Sequence, residues 1–255
     1  MSTQRKVALV TGAASGIGRA IAIALATAGY DLAINYSRSE EEVRKTEALA
    51  REAGAKVVVL RADVSDEGQV DGMVRAFEDA YGGRLDLLVN NAGTTIDTPP
   101  AQFDTVSAAQ FERVFAVNVV GTFLVTKHAT RLLRAMDQAD VINTASIVGL
   151  RPGPQPLPYS ASKAAIISMT RTLAGALGPT IRVNAIAPGW MEGDWMERAL
   201  GDKYETLMDR RARATPLKRC ATVDDVAETV VAIATSMRFV NGQVIVIDGG
   251  YSAIT

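Results

Sequence analysis

The sequence VTGAASGIGRA, residues 10–20, places three glycines among small side chains directly after an apolar run. The run Val7 to Val10 predicts a buried strand, and residues 16–28 predict a helix that Gly29 ends. Glycine permits positive φ angles and lets another molecule approach the backbone closely. The free N–H groups and the dipole of a helix N-terminus favour phosphate. The stretch therefore predicts a tight turn around a phosphate group, although such turns also occur without a ligand.

Short apolar segments alternate with helical patterns along the 255 residues. The predicted strands cover residues 6–11, 31–36, 56–62, 85–91, 140–146, 181–188 and 242–250. The predicted helices cover residues 16–28, 39–53, 65–81, 107–136, 159–177 and 223–236. Apolar strands joined by helices are typical of a parallel sheet covered on both faces. We therefore predict an α/β fold, a single doubly wound Rossmann-type domain over residues 1–255 with about seven parallel strands.

Three local features refine this prediction. Ser39 and Glu42 have the spacing of a capping box at the start of a helix. Residues 149–158 are rich in proline, so we expect no regular structure there. Residues 189–218 carry tryptophans and methionines after a Pro-Gly turn, and we expect this segment to form a substrate lid.

The composition is that of an ordinary soluble globular protein, with 48% hydrophobic and 22% charged residues. The net charge of −1 argues against a nucleic-acid-binding surface. The single cysteine, Cys220, excludes an intrachain disulfide and a multi-cysteine metal site. The single histidine, His128, lies in a helical apolar pattern and is expected to be packed or on the surface, so no metal is expected. We find no signal peptide and no apolar run of about 18 residues that would span a membrane, and expect a cytoplasmic protein.

Polar residues come directly after several predicted strands. Asp63 follows the third strand, where it could accept a hydrogen bond from an adenine amine. The sequence NNAG, residues 90–93, ends the fourth strand, and Ser146 ends the fifth. Because ligands bind at the carboxyl ends of strands in open α/β sheets, these residues and the glycine-rich turn predict one dinucleotide site.

Tyr159 and Lys163 are four residues apart on a predicted helix and share one helical face. A phenol with its ordinary pKa near ~10 transfers protons poorly at neutral pH. A neighbouring ammonium lowers that pKa, and a positively charged nicotinamide ring would lower it further. Tyr159 could then exchange a proton with a substrate whose oxygen the Ser146 hydroxyl holds. Such a pair also occurs by chance, so it carries weight only together with the dinucleotide site.

These motifs together resemble the single-domain short-chain dehydrogenase/reductase family, and lean towards its 3-oxoacyl carrier-protein reductase-like members. They follow the family's order over nearly the whole chain. The matching segments are TGAASGIG (11–18), DV (63–64), NNAG (90–93), Asn118 in VNVVGTF, Ser146, YSASK (159–163), PG (188–189) and DGG (248–250).

The resemblance implies a role for each catalytic residue. Tyr159 would be the general acid in carbonyl reduction and the general base in alcohol oxidation. Lys163 would lower the pKa of Tyr159 and bind the nicotinamide ribose, and Ser146 would orient the substrate oxygen. Asn118 would hold a helix distortion and a water that relays protons to Lys163. Without the resemblance, Asn118 is only a poor helix former in a packed helix.

The expected cofactor contacts lie on the glycine-rich turn and at the strand ends. They are Gly12, Ser15, Gly16, Ile17, Gly18, Tyr36, Ser37, Arg38, Asp63, Val64, Asn91, Ala92, Gly93, Tyr159, Lys163, Pro188 and Gly189.

The second strand ends without the carboxylate that NAD enzymes usually place there. Ser37 and Arg38 could instead hold a 2′-phosphate, so we expect NADP(H), with NAD(H) as the alternative. The competing interpretation is that Arg38 pairs with one of the glutamates at 40–42, which would also repel a phosphate.

One position departs from the family pattern. Where the family often has a threonine or serine that bonds the nicotinamide carboxamide, this chain has Gly193. Either Glu192, Asp194 or a backbone group substitutes for that hydroxyl, or the loop is displaced.

The residues expected around the substrate are mostly apolar, which favours a small apolar or amphipathic carbonyl or alcohol. They are Thr94, Thr95, Val148, Gly149, Gln155, Leu157, Trp190, Met191, Trp195 and Met196, although the tryptophans and methionines could equally be core or subunit contacts. The sequence RRAR, residues 210–213, could dock an acidic carrier protein or be a solvated helix face.

The leading hypothesis is an oxidoreductase that transfers a hydride between NADP(H) and a carbonyl or secondary alcohol. The alternatives are a nucleotide-binding sensor or scaffold without catalysis, and a lyase or isomerase using the same site. The resemblance also implies a homotetramer, with no nucleic-acid or membrane partner expected.

Overall fold

The computed structural model describes residues 5–193, 196–197 and 200–254. At its centre lies a sheet of seven strands in the order β3-β2-β1-β4-β5-β6-β7, all paired in parallel. The strands are β1 Lys6–Val10, β2 Tyr30–Tyr36, β3 Val57–Arg61, β4 Leu87–Asn90, β5 Ala139–Thr144, β6 Ile181–Pro188 and β7 Val244–Ile247. Strand order reverses between β1 and β4, which is the point where doubly wound sheets bind ligands. The predicted fold is confirmed.

Helices connect the strands. They are α1 Gly16–Thr27, α2 Glu40–Glu52, α3 Glu67–Tyr81, α4 Ala108–Phe115, α5 Gly121–Arg134, α6 Leu157–Leu177, α7 Tyr204–Ala214, α8 Val223–Thr235 and α9 Tyr251–Ile254. Short 3-10 turns lie at Pro100–Thr105, Ile147–Gly149 and Gly201–Lys203, and a π turn at Ala116–Val120 joins α4 to α5.

Separate apolar clusters cover the two faces of the sheet. Ile21 of α1 and Val230 of α8 are fully buried on one face. Phe77 of α3, Val125 of α5 and Leu133 of α5 are fully buried on the other. Strands buried on both faces have no solvent side, which explains their near-continuous apolar sequences.

Three sequence predictions need correction. Ser39 precedes α2, but its side chain makes no capping hydrogen bond, and the Glu42 side chain pairs with Arg19 and Lys45. The single helix expected over residues 107–136 contains a π turn. The segment 189–218, for which the sequence predicts no helix, contains the regular helix α7.

The helical run Ala108–Arg134 is long and apolar enough, by length and composition alone, to cross a membrane, with a mean hydropathy of 1.2. This differs from the sequence prediction, which required an uninterrupted apolar run. Core helices pass the same test, and α5 packs Leu124, Ala129 and Leu132 into the core. The run is therefore weak evidence for a membrane span.

Candidate active site

The glycine-rich turn leads from β1 into α1 at the reversal of strand order. Gly12 and Gly16 have φ angles of +62° and +53°, which side chains rarely adopt. A Cβ on Gly18 would lie 2.3 Å from the Gly12 carbonyl oxygen and 2.6 Å from Nδ2 of Asn91. These contacts require glycine, and they bring the first turn of α1 against the end of β1.

Hydrogen bonds join this turn to the end of β4. The Thr11 hydroxyl accepts from the backbone N–H groups of Asn91 and Ala92 at 3.0 and 3.1 Å. Nδ2 of Asn91 donates back to the carbonyl oxygens of Thr11 and Gly12, both at 3.1 Å. The two strand ends, β1 and β4, therefore form one rigid unit.

Asn35 was missed by the sequence analysis. Its Oδ1 accepts from the Gly12 N–H at 3.3 Å, and its Nδ2 donates to carbonyl oxygens of β3 and the loop after it. An asparagine inside the apolar segment DLAINY was the signal, because a buried amide requires partners.

A cavity of about 650 Å³ runs along the glycine-rich turn. Ser15, Gly16 and Ile17 line one side of it, and Met191 and Gly193 line another. A Cβ on Gly16 would meet nothing within 4 Å, so the backbone N–H groups at the start of α1 are approachable. This groove fits the pyrophosphate of the dinucleotide that the sequence predicts.

The other end of the expected cofactor site lies after β2 and β3. Oδ1 of Asp63 accepts from the Ser65 N–H at 3.0 Å and from the Ser65 hydroxyl at 2.6 Å, and Oδ2 pairs with Arg113 at 3.3 Å. Burial opposes the effect of these contacts, but they hold the pKa of Asp63 below its ordinary value. Asp63 is therefore a carboxylate whose observed donors are Ser65 and Arg113, and its contact with adenine stays a prediction. The neighbouring Val64 packs on Gly121.

Tyr36 is buried, whereas Ser37 and Arg38 are exposed just after β2. The three neighbouring glutamates pair with other cations, namely Glu40 with Arg44, Glu41 with Lys45, and Glu42 with Arg19 and Lys45. Among the described residues, no carboxylate pairs with Arg38. The alternative in which these glutamates neutralise Arg38 is therefore not observed.

Ser146, Tyr159 and Lys163 meet at the end of β5. The Ser146 hydroxyl hydrogen-bonds the Tyr159 phenol, and it also lies 3.5 Å from the Pro188 carbonyl oxygen. Nζ of Lys163 lies 5.4 Å from the centre of the Tyr159 ring and donates to the Thr144 carbonyl oxygen at 2.7 Å. The predicted serine, tyrosine and lysine thus form one cluster.

Burial determines the protonation of this cluster. It raises the pKa of Tyr159 to about 12, against the effect of the hydrogen bond with Ser146. It lowers the pKa of Lys163 to about 8. The sequence analysis expected Lys163 to lower the pKa of Tyr159. The shift in the structure has the opposite direction, because burial of the phenol outweighs the hydrogen bond with Ser146.

Asn118 lies in the π turn and is fully buried. Its Oδ1 accepts from the Thr94 N–H at 2.8 Å, and its Nδ2 donates to the Thr94 carbonyl at 3.0 Å and to the Ser162 hydroxyl at 2.9 Å. The Ser162 hydroxyl in turn donates to the Tyr159 carbonyl oxygen at 2.7 Å. The helix is therefore distorted at Asn118, and the Asn118 side chain connects the loop after β4 to α6.

Two cavities open beside the cluster. The inner cavity, about 120 Å³, is lined by Ser146, Tyr159 and Tyr251 among others. The outer cavity, about 410 Å³, is lined by Lys203 and Arg211 among others. Both share the lining residues Pro154, Gln155, Trp190 and Met196.

Most of the expected substrate contacts line these cavities, namely Thr95, Val148, Gln155, Trp190, Met191 and Met196. Three others have different surroundings. Thr94 bonds Asn118, a Cβ on Gly149 would lie 2.7 Å from the backbone of α6, and Leu157 is 47% exposed. Trp195 lies outside the described residues. Tyr251 lines the inner cavity and was not among the expected contacts, and Arg211 of the RRAR sequence lines the outer cavity, whereas it was considered only for carrier docking or a solvated helix face.

Gly193 has a φ of +123°, and its N–H donates to the Tyr204 hydroxyl at 3.2 Å. It lines the groove along the glycine-rich turn together with Glu192. Asp194, another expected substitute for the family's hydroxyl, lies outside the described residues. The glycine thus fits a backbone conformation that threonine would strain.

Cys220 and His128, the single cysteine and the single histidine of the sequence, lie outside the cluster of Ser146, Tyr159 and Lys163. Cys220 is buried against Met196 and Met208, and burial raises the pKa of its thiol to about 11. His128 lies between the carboxylates of Glu67 and Asp71, at 3.2 and 3.4 Å. Neither lines the inner or the outer cavity.

A family model described as "Enoyl-(Acyl carrier protein) reductase" matches residues 12–252. The 3-oxoacyl-(acyl-carrier-protein) reductase FabG of Staphylococcus aureus is 36% identical over 250 residues, which cover 96% of this chain and 97% of the relative. The chain belongs to the short-chain dehydrogenase/reductase family.

Solved structures of related proteins have the same fold. A variant of actinorhodin polyketide ketoreductase, crystallised with NADPH, is 32% identical, with a TM-score of 0.89 over 98% of this chain and 99% of that one. The 3-oxoacyl-(acyl-carrier protein) reductase of Brucella melitensis, in complex with NAD, is also 32% identical, with a TM-score of 0.88 over 100% of both chains. As a short-chain dehydrogenase/reductase, the protein is an oxidoreductase.

The contacts at Gly18 lead to a prediction for cofactor binding. In Gly18→Ala the new methyl displaces the Gly12 carbonyl and the Asn91 amide, so we expect the Kd for NADPH, measured by nicotinamide fluorescence, to rise at least about tenfold. Gly72→Ala is the control, because a Cβ in this exposed turn of α3 meets nothing within 4 Å. Unchanged NADPH affinity in a folded Gly18→Ala protein would contradict this account of the turn.

Proposed function

We propose that this chain reduces a carbonyl compound, or oxidises the corresponding secondary alcohol, with NADP(H) as hydride carrier and Tyr159 as general acid and base. The observation that carries the proposal is the Ser146–Tyr159–Lys163 cluster, which opens into the inner cavity beside the groove of the glycine-rich turn. Two related structures contain NADPH and NAD, which agrees with an NAD(P)-dependent oxidoreductase that acts on carbonyl and alcohol groups.

The residues divide the chemistry between them. Bound nicotinamide supplies the hydride that the carbonyl carbon accepts. The Tyr159 phenol donates its proton to the carbonyl oxygen, which the Ser146 hydroxyl holds by a hydrogen bond. Lys163 supplies a positive charge beside the phenolate that remains. Asn118 holds the loop at Thr94 against helix α6 through its hydrogen bonds with Thr94 and Ser162.

The raised pKa of Tyr159 determines which of its protonation states is populated at neutral pH. A phenol with a pKa of about 12 keeps its proton at neutral pH, so the protonated form is populated, while a neighbouring positive charge is needed to make it a better acid. Reduction needs this protonated form, whereas alcohol oxidation needs the phenolate. The site as built therefore supports carbonyl reduction near neutral pH.

This assignment predicts opposite pH profiles for the two directions. With one ketone and its own alcohol as substrates, kcat/KM for reduction should stay level across neutral pH. For oxidation it should rise about tenfold per pH unit until the pH reaches the Tyr159 pKa in the complex, because the phenolate fraction rises by that factor. An oxidation profile that is flat over the whole pH range in which the protein stays folded would exclude Tyr159 as the base.

The proposed preference for NADP(H) rests on the end of β2. Arg38 is exposed there beside the Ser37 hydroxyl, and its guanidinium has no carboxylate partner among the residues that the structure describes. Guanidinium and hydroxyl donors are suited to a 2′-phosphate. NAD(H) is the alternative, since one related structure contains NAD.

Replacing Arg38 tests this preference. We expect Arg38→Gln to lower the ratio of NADPH to NADH affinity by about tenfold or more, because a charge-assisted contact to the phosphate is lost. Arg44→Gln is the matched control, since Arg44 is also exposed but pairs with Glu40 and Glu47. Arg38 does not recognise the 2′-phosphate if Arg38→Gln lowers the affinities for NADPH and NADH equally, or if it leaves both affinities unchanged.

We also propose that residues 1–255 form one domain with a lid at about residues 189–218. Met196, Met208 and Cys220 form their own small apolar cluster in this region, apart from the clusters on the sheet, which supports a separately packed lid. A cytoplasmic homotetramer is proposed as well. Val120 at the end of the π turn and Phe123 on α5 are 44% and 49% exposed, which supports subunit contacts at the start of that helix.

The central variant is Tyr159→Phe. We expect kcat/KM for carbonyl reduction to fall by about a thousandfold, since the proton donor is lost, while NADPH binding persists. Tyr81→Phe is the control, because that hydroxyl donates to Leu32 far from the site. Full activity in Tyr159→Phe would refute the mechanism. Cofactor binding by the natural protein without turnover of any carbonyl or alcohol would favour the sensor or scaffold hypothesis.

A further inference from the structure

We propose that Arg211 binds an anionic group at the end of the substrate remote from the reacting carbonyl. The proposal rests on the proposed function, because it assigns the substrate class of the same site. The substrate would be an amphipathic carbonyl compound, with an apolar middle and a carboxylate or phosphate at its far end.

Arg211 lies where the two cavities meet. It lines the outer cavity, and its guanidinium stacks on the Trp190 ring at 4.4 Å from the ring centre. Its Nη1 donates to the Tyr251 hydroxyl at 2.8 Å. Because Trp190 and Tyr251 both line the inner cavity, Arg211 is held by the walls of the space that contains the Tyr159 hydroxyl.

The guanidinium has donor capacity that the protein does not use. Its Nε is buried and has no acceptor, and no described carboxylate forms an ion pair with it. The other two arginines of the RRAR sequence have different surroundings. Arg210 is exposed, and Arg213 pairs with Asp209. A guanidinium offers five N–H donors in a fork that matches a carboxylate or phosphate. Arg211 is therefore the member of the RRAR sequence that faces the site.

The charges along the cavities support an anion at the outer end. Lys203 and Arg211 line the outer cavity, and Asp97 is the one carboxylate among its described lining residues. The residues shared by both cavities include Trp190, Met196 and Pro154, which suit an apolar chain. The inner cavity has a cation of its own in its lining, Arg151. A substrate whose carbonyl reaches Tyr159 would pass the shared apolar residues before its far end reaches the two cations of the outer cavity.

The test compares acids with neutral esters. NADPH oxidation is measured with straight-chain methyl-ketone acids of increasing length and with the methyl esters of the same acids. A second pair compares an acyl thioester of phosphopantetheine with that of pantetheine. We expect the natural enzyme to prefer the anionic member of at least one pair by about tenfold or more in kcat/KM.

Arg211→Gln should reduce that preference to about one, whereas Arg210→Gln, which removes the same charge from the exposed face of α7, should retain it. Loss of the acid preference identifies a carboxylate substrate, and loss of the phosphopantetheine preference identifies a carrier arm. Either result supports the proposal. The proposal is wrong if the natural enzyme reduces the neutral esters without any anion preference, or if Arg211→Gln lowers both members of a pair equally, as a purely structural contact would. Failure to reduce any ketone would instead refute the proposed function.

Discussion

The hydrogen bonds between the ends of β1 and β4 are the contacts on which the site depends. The Thr11 hydroxyl accepts from the backbone N–H groups of Asn91 and Ala92, and the Asn91 amide donates to the carbonyl oxygens of Thr11 and Gly12. Gly18 lies against Gly12 and Asn91, where a side chain would not fit. This fixes the N-terminus of α1 at the reversal of strand order. The groove along α1 and the loops after β5 and β6 therefore open at the same edge of the sheet.

A second set of contacts fixes the reacting groups on α6. Gly149 packs directly on the backbone at Lys163, and Asn118 reaches the same helix through Ser162. The Lys163 ammonium is thereby desolvated and held near the Tyr159 ring. Burial raises the pKa of Tyr159 and so favours the protonated phenol, whereas the positive charge of an oxidised nicotinamide would favour the phenolate.

Much of the fold could be predicted because strand and helix periodicities are local properties of the sequence. The strand-end positions of Asp63, NNAG and Ser146 followed from the same pattern. The π turn at Asn118 and the direction of the Tyr159 pKa shift could not be derived from spacing, since both depend on burial by distant elements. The place of Arg211 at the outer cavity and its contact with Tyr251 could not be predicted for the same reason, because these two segments meet only in three dimensions.

The most direct test of the account is a crystal structure of the protein with NADPH. The account predicts that the pyrophosphate lies on the backbone N–H groups at Gly16 to Gly18, that Arg38 contacts the 2′-phosphate, and that the nicotinamide enters the inner cavity beside Tyr159 and Ser146. A dinucleotide bound away from the glycine-rich turn, or a nicotinamide that does not reach the Tyr159 hydroxyl, would contradict it.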